Sequence, residues 1–201
     1  LLTLREALSY RVLSTAWVRE SILEANAAWR LLERAWSSHP LDRPIFLDRD
    51  ERLEARLFPV PGKVPGYLRD RATLHPEACV GVRITDVHDG RRLAFVPGLK
   101  TLDPATLAEL EAADVRFVDG TFYTVDELRA VRPGAPDAFA MGHLPITGPG
   151  GSLDELSKLD GRTFYFHMNA TNPVLDAKSP ERKHVESLGA EIADDGLEIT
   201  P

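Results

Sequence analysis

The chain has 201 residues, and its 24 basic and 31 acidic side chains give a formal net charge of −7. A hydrophobic content of 43% is ordinary for a globular protein with a buried core, and we interpret residues 1–201 as a single domain. Nucleic-acid binding depends on clustered lysine and arginine side chains that neutralise phosphates, and the sequence has no such cluster. We therefore expect no nucleic-acid partner.

The cysteine content points to a reducing compartment. Cys79 is the single cysteine, which excludes a disulfide within the chain and predicts a cytoplasmic protein. A transmembrane helix needs roughly 20 consecutive apolar residues, and no stretch of the sequence approaches that length, so no membrane partner is expected. The chain begins Leu1-Leu2-Thr3 without an initiator methionine, which predicts a fragment or a processed form.

The amino-terminal half predicts a short strand, one long helix and then a run of strands. Residues 11–14 are typical of a strand, and residues 15–36 carry an apolar stripe at helical spacing. Residues 51–60 and 79–87 alternate as strands do. Asp89-Gly90 predicts a hairpin turn that leads into a partner strand at residues 92–96. The helical stripe consists of Val18, Ile22, Ala25, Trp29, Leu32 and Trp36.

The last third of the chain alternates strands with helices. Asp103-Pro104 and Ser179-Pro180 are each typical of a helix start, with a capping side chain followed by proline. Residues 124–127 and 152–155 fit the capping-box pattern. Residues 191–199 predict a hairpin through Asp-Gly. The order indicates an α/β fold with a mixed sheet and helices on at least one face.

Three segments carry candidate metal ligands. Asp119 and His167 each follow a strongly apolar strand, and in open α/β sheets ligand sites lie outside the carboxyl ends of strands. His143 lies beside a glycine in Met141-Gly142-His143, which permits close approach of the backbone. One carboxylate with imidazoles suits iron, zinc or manganese. The competing interpretation is structural, since an aspartate before glycine often only builds a turn.

Neutral polar side chains flank these candidates. Asn169, Thr171 and Asn172 follow His167, and Thr121 follows Asp119. They are suited to orienting a ligand histidine or a substrate carboxylate, and we interpret Thr121, Asn169 and Asn172 as substrate-binding residues. Asparagine before proline also commonly builds turns, so both interpretations stay open at this point.

These segments resemble a known family. The runs 117–128, 141–146 and 167–175, together with the ending from Ser179 to Ile199, are similar to the pyrroloquinoline quinone (PQQ) biosynthesis protein B family. The resemblance covers essentially the whole chain and corresponds to the carboxyl-terminal two-thirds of the family. It implies an α/β, metallo-β-lactamase-like αββα sandwich whose amino-terminal part is missing from this chain.

The resemblance also implies a site and a reaction. Asp119 and His167 would be ligands of Fe(II) or Zn(II), in one site completed by residues upstream of Leu1. His143 would be a further ligand or a proton donor, and we assign it the catalytic role. The implied reaction is hydroxylation of the tyrosine-derived ring of the peptide-derived, small-molecule precursor of PQQ, with iron and dioxygen.

Two other functions and the oligomeric state stay open. A non-enzymatic carrier would bind or transport PQQ or its precursor without a metal. A hydrolase of the metallo-β-lactamase type would need a two-metal site and more histidines than this chain supplies. Association into a homodimer is left open as well.

Overall fold

The computed structural model describes residues 10–64 and 75–199. Its centre is a mixed seven-stranded sheet whose strands are neighbours in chain order. The first four strands pair antiparallel and the last four pair parallel. The strands are β3 (Ile45–Phe46), β4 (Leu53–Pro59), β5 (Val80–Asp86), β6 (Arg92–Val96), β7 (Val115–Asp119), β8 (Arg162–Phe166) and β9 (Ala190–Ile192).

A separate two-stranded parallel sheet precedes it, formed by β1 (Val12–Ser14) and β2 (Trp36–Ser38). Helix α1 (Ala16–Ala25) and a 3-10 helix at Ala27–Ala35 connect these two strands. Leu13 of β1 packs against the apolar cluster of Ile45, Ala55 and Leu57, so this layer contacts the antiparallel part of the larger sheet.

The hairpin between β5 and β6 forms where it was predicted. Gly90 has a φ of 78°, a conformation that glycine adopts without a steric penalty. Its amide donates to the carbonyl of Asp86 at 2.8 Å. The Asp86 carboxylate also pairs with Arg52, with Nη2 and Oδ2 2.6 Å apart.

The predicted helix starts at Asp103 and Ser179 are confirmed. The Asp103 carboxylate accepts from the Thr106 amide at 2.8 Å and begins α2 (Pro104–Glu111). The Ser179 hydroxyl accepts from the Arg182 amide at 3.0 Å and begins α6 (Pro180–Ser187). Three short helices lie between β7 and β8: α3 (Glu127–Val131), α4 (Ala138–Met141) and α5 (Leu153–Leu156).

The main core lies between the sheet and helices α2, α5 and α6. Because strand side chains alternate between faces, Val96, Val118 and Tyr165 point to the helical side, and none of them is accessible to solvent. The helices cover them with Leu110, Leu153, Leu156 and Val185. This packing confirms helices on one face of the sheet.

The opposite face of the parallel strands carries an aromatic cluster. The ring centroids of Phe95 and Phe166 are 4.6 Å apart, and those of Phe117 and Phe164 are 5.1 Å apart. Phe95, Phe117 and Phe166 are only partly buried. This face leads directly to Asp119 at the end of β7.

The single long helix predicted for residues 15–36 is wrong. The helix is interrupted at Asn26, whose extended backbone (φ −151°, ψ 113°) ends α1. Its side chain then accepts from the Ala28 amide at 2.9 Å and begins the 3-10 helix. Asparagine favours such caps because its side chain competes for backbone hydrogen bonds. The buried residues of α1 are Ser21 and Leu23, which lie off the predicted stripe.

The capping box at residues 152–155 and the tail hairpin are also wrong, and the capping box at residues 124–127 forms only in part. Helix α3 begins at Glu127 without a side-chain cap, so Thr124 does not cap it, although the Glu127 carboxylate accepts a hydrogen bond from the Thr124 backbone. The Ser152 hydroxyl lies 2.8 Å from the Tyr165 hydroxyl and does not cap α5. β9 ends at Ile192 and pairs parallel with β8, because the preceding α6 crossover returns the chain in that direction. Among the described residues, no helix is long and apolar enough to cross a membrane.

Candidate metal centre

The three predicted ligands converge at the carboxyl ends of β7 and β8. Asp119 is the last residue of β7 and pairs in register with Phe166, so His167 follows directly at the same edge of the sheet. His143 arrives from the segment after α4. Asp119, His143 and His167 each offer one ligand atom, and these atoms all lie within 4.8 Å of one another.

The Asp119 carboxylate is buried, and both of its oxygens accept hydrogen bonds. Only 1% of the residue is exposed. Its Oδ2 accepts from the Leu99 amide at 3.0 Å and lies 2.7 Å from His143 Nδ1. Its Oδ1 accepts from the Thr121 amide at 3.1 Å and from the Thr121 hydroxyl at 2.6 Å. His167 Nδ1 lies 3.6 Å from the same oxygen.

This environment keeps Asp119 ionised. Burial alone would raise the pKa of the Asp119 carboxyl, but the hydrogen bond with His143 and the neighbouring imidazole of His167 lower that pKa to about 2. The contact with Asp119 in turn raises the pKa of His167, against the opposite effect of burial. A buried anion between two imidazoles is a donor set that fits a divalent metal ion.

A pH dependence follows for the metal-free protein. Because the folded-state pKa of Asp119 is lowered, its contribution to stability is present above the unfolded pKa and is lost as the pH falls through the folded value. Between about pH 4 and about pH 2, the wild type should lose about 2 kcal/mol more free energy of unfolding than Asp119→Asn. Urea unfolding of both metal-free proteins across this range measures the difference, and parallel pH profiles would contradict it.

The end of α4 positions His143. Gly142 ends this helix with a left-handed φ of 97°, and a Cβ at this position would meet Lys63 Cβ at 2.6 Å. Glycine is therefore required on both conformational and steric grounds. The His143 amide donates to the Ala138 carbonyl at 2.9 Å, which fixes the backbone one residue after the cap. The close approach at Gly142 is to Lys63, and the predicted approach of this backbone to the site itself stays a prediction.

His167 adopts a strained backbone conformation. Its φ of 61° is uncommon for a residue other than glycine, and such strain costs of order 1–3 kcal/mol that the surrounding contacts must offset. Its side chain is 53% exposed, in contrast to the buried Asp119 beside it. Gly120 permits the close packing underneath, since a Cβ there would meet the Phe166 carbonyl oxygen at 2.9 Å.

The three predicted substrate-binding residues occupy different environments. The Thr121 hydroxyl lies at the centre of the cluster, 3.0 Å from His143 Nδ1 and 3.1 Å from His167 Nδ1. Asn172 is 2% exposed, and its amide donates to the Gly120 carbonyl at 2.7 Å. Asn169 is partly buried and donates to Thr171 Oγ1 at 2.6 Å. These contacts are all with other residues of the chain, and substrate binding by Thr121, Asn169 and Asn172 stays a prediction.

Sequence reasoning missed two groups at the site. The Leu99 amide donates to Asp119, and backbone donors carry no signal in the sequence. Glu127 was interpreted as a helix cap, whereas its carboxylate accepts from both the Tyr123 amide and the Thr171 hydroxyl. The glutamate itself was visible, but its partner Thr171 lies 44 residues further along the chain.

Two cavities meet at His167. One, of about 500 Å³, extends from His143 and His167 towards the layer formed by β1 and α1. The other, of about 480 Å³, lies over the aromatic cluster. The first is lined by Leu13, Val18, Leu57, Val82 and Cys79 among others, and the second by Phe95, Phe117, Phe166, Met168, Leu175 and Asp194 among others.

The fold, a mixed sheet with Asp119 and His167 at the carboxyl ends of two parallel strands, is similar to that of known proteins. The Beta-lactamase superfamily domain matches residues 1–168 of the chain. This match and the mixed sheet with its helices place the fold in the metallo-β-lactamase-like class, as predicted.

The relatives narrow this class. Coenzyme PQQ synthesis protein B of Azotobacter vinelandii is 35% identical over 205 residues, which cover 99% of this chain and 68% of that protein. The protein of the same name from Methylococcus capsulatus is 37% identical over 208 residues, with 99% and 68% coverage. The crystal structure of Zn²⁺-bound PqqB from Methylobacterium extorquens matches with a TM-score of 0.88 and 32% identity, covering 98% of this chain and 66% of that one. The chain belongs to the coenzyme PQQ synthesis protein B family and spans about two-thirds of the length of these relatives.

Proposed function

We propose that the full-length protein is a metal-dependent hydroxylase of coenzyme PQQ biosynthesis. Its substrate would be the tyrosine-derived ring of the peptide-derived precursor. The observation that carries the proposal is the convergence of Asp119, His143 and His167, with ligand atoms within 4.8 Å of one another. The names of the relatives and the Zn²⁺ bound by the structure from Methylobacterium extorquens support it.

Asp119 and His167 are the residues proposed to hold Fe(II) or Zn(II), with further ligands from residues upstream of Leu1. Non-haem iron oxygenases use two histidines and one carboxylate, and zinc accepts the same atoms. Asp119 and His167 would supply the carboxylate and one histidine of such a set, and the upstream residues would supply the rest. When bound, Fe(II) supplies the redox chemistry that insertion of an oxygen atom requires, whereas Zn(II) supplies Lewis acidity.

His143 is proposed to move a proton. Asp119 Oδ2 lies 2.7 Å from His143 Nδ1, which favours the tautomer with its proton on Nδ1. Nε2 is then left as the basic nitrogen. It can accept a proton from a substrate hydroxyl in the cavity of about 500 Å³ that His143 lines. Asp119 stabilises the imidazolium that results, and Thr121 orients the ring through its hydroxyl.

A carrier is the second candidate. The cavity above the aromatic cluster, about 480 Å³ in volume, favours it because Phe95, Phe117 and Phe166 offer a surface on which a flat ring can pack. A carrier needs no metal, so its ligand affinity should survive chelation. Loss of ligand binding on chelation would contradict this alternative.

Turnover by the full-length protein separates the two functions. We expect the Fe(II)-loaded protein, supplied with an external two-electron reductant such as ascorbate, to consume dioxygen in the presence of the peptide-derived precursor. One oxygen atom should enter the precursor, as mass spectrometry would show, and the reductant should supply the electrons that convert the other atom to water. The chelator-treated protein is the matched control and should do neither. Saturable binding of the precursor without oxygen uptake, unchanged by chelation, would favour the carrier.

A further inference from the structure

Two loops surround the metal centre, and one carboxylate joins them. The first loop, residues 119–123, contains Asp119 and Thr121. The second, residues 167–172, begins at His167. Glu127 Oε2 accepts from the Tyr123 amide at the end of the first loop, and Oε1 accepts from the Thr171 hydroxyl in the second, each at 2.6 Å.

The Thr171 hydroxyl is fully used in this arrangement. It donates to Glu127 and accepts from the Asn169 amide at 2.6 Å. Asn169 in turn donates its backbone amide to the Thr121 carbonyl at 3.0 Å. Glu127, Thr171 and Asn169 therefore form a continuous chain of hydrogen bonds from α3 to the residues beside His167.

Glu127 holds this position at a cost. The side chain is half-buried, and burial raises the pKa of its carboxyl, although its hydrogen bonds act in the opposite direction. Across residues 10–64 and 75–199, no cationic side chain forms an ion pair with it. Its two short hydrogen bonds thus take the place of a salt bridge in stabilising the charge.

These contacts stabilise the left-handed backbone conformation of His167. A left-handed histidine persists only where the surrounding structure determines the backbone on both sides. β8 fixes the chain before His167. The Thr121 hydroxyl lies 3.1 Å from both the carbonyl oxygen and Nδ1 of His167. After His167, the loop is held by the Asn169 amide, by the buried Asn172 and by the contact between Thr171 and Glu127. Asn172 also caps the 3-10 helix at Pro173–Leu175, and the contact with Glu127 connects the loop to α3.

We infer that Glu127 is a positioning residue that holds His167 in its metal-binding orientation through Thr171. The inference rests on the proposed metal-dependent function. Residues that hydrogen-bond a metal ligand directly typically contribute about 10–100-fold in metal affinity, so a residue that acts one step further out should contribute near the lower end of that range. Glu127 acts on His167 through the loop and contacts neither imidazole.

The test compares Zn²⁺ affinity among variants of the full-length protein, by competition with a chromophoric chelator. Thr171→Val removes the hydroxyl with little change in shape, and Glu127→Ala removes its partner. Both should weaken Zn²⁺ binding about 10-fold, the lower end of the range for direct partners of a ligand. The double variant should lose little more than either single variant, because both remove the same contact. Thr171→Ser keeps the hydroxyl and should restore the affinity.

Thr106→Val is the matched control. It makes the same substitution in α2, at a buried hydroxyl that has no hydrogen-bond partner among the described residues, and it should leave Zn²⁺ affinity unchanged. Wild-type affinity in Thr171→Val would overturn the positioning role and leave the proposed function intact. If Thr171→Val fails to fold, Glu127→Ala is measured in its place, and wild-type Zn²⁺ affinity in Glu127→Ala overturns the role in the same way. A full-length wild type that binds no Zn²⁺ would overturn both the role and the metal-dependent function.

Discussion

His167→Ala in the full-length protein is expected to remove the bound metal, whereas His143→Ala is expected to keep the metal and lose turnover. Alanine at position 167 deletes a proposed ligand, so the affinity should fall by more than the roughly 10–100-fold typical of outer residues. Alanine at position 143 deletes the proposed proton acceptor, which should reduce turnover by about 10²–10⁴-fold. Elemental analysis and oxygen uptake measure the two effects separately.

The geometry gives the physical reason for this difference. The His143 ring is held by Asp119 at 2.7 Å and by the edge-on contact with Phe122, and its side chain is 20% exposed. The His167 ring is more than half exposed and lies 3.6 Å from Asp119, so its Nδ1 is not held by a short hydrogen bond to that carboxylate. His143 is therefore already committed to the carboxylate, and His167 is the freer of the two imidazoles.

His88→Ala provides the control for these substitutions. His88 is exposed in the hairpin between β5 and β6, far along the chain from the site, and its replacement should change neither metal content nor turnover. Loss of metal from His143→Ala to the same extent as from His167→Ala would make His143 a third ligand. Retention of both metal and activity by His167→Ala would contradict the proposed site.

The convergence of the candidate site could be predicted from the sequence because its proposed ligands follow strong local signals. Asp119 and His167 end apolar strands, and parallel strands place such residues at one edge of the sheet. His143 does not follow an apolar strand, but the glycine before it, Gly142, indicates a place where the backbone must turn. What the sequence does not encode locally is the hydrogen-bond partner of each side chain, as with Asp119 and the Leu99 amide.

The errors in the fold have the same origin. The stripe over residues 15–36 has helical spacing, but Asn26 interrupts the helix by capping in both directions. Ser152 and Glu127 match capping patterns, yet tertiary partners claim both side chains: Tyr165 for Ser152 and Thr171 for Glu127. Capping is a competition for hydrogen bonds, and distant residues that the local pattern does not include decide its outcome.

Arg116→Ala should be the most destabilising single substitution at the opposite end of these strands. Arg116 is completely buried, and burial lowers the pKa of its guanidinium. Its Nη2 donates to the Ala113 carbonyl at 2.8 Å and to the Asp160 carbonyl, which joins the end of α2 to the turn before β8. Removing it leaves these carbonyls without a donor and creates a cavity, which together should cost about 3 kcal/mol or more of unfolding free energy.

Comparison with Arg116→Met separates the cost of the cavity from the cost of the lost hydrogen bonds. Arg116→Met refills most of the volume and removes a buried charge whose Nε has no hydrogen-bond partner in the described part of the chain. Arg116→Met should therefore lose less unfolding free energy than Arg116→Ala, and the difference between the two measures the cost of the cavity. Arg83→Ala is the control, because its ion pair with Glu109 is partly exposed and should contribute no more than about 1 kcal/mol. Urea unfolding gives all three values.

The position of Arg116 also predicts what should not change. It lies near the amino ends of β7 and β8, whereas Asp119 and His167 lie at or just beyond their carboxyl ends. Folded Arg116→Met should therefore bind Zn²⁺ with wild-type affinity, although its unfolding midpoint falls. Equal stability of Arg116→Ala and wild type would show that the guanidinium contributes no more than its burial costs. If folded Arg116→Met instead lost Zn²⁺ affinity, the two ends of these strands would be energetically coupled.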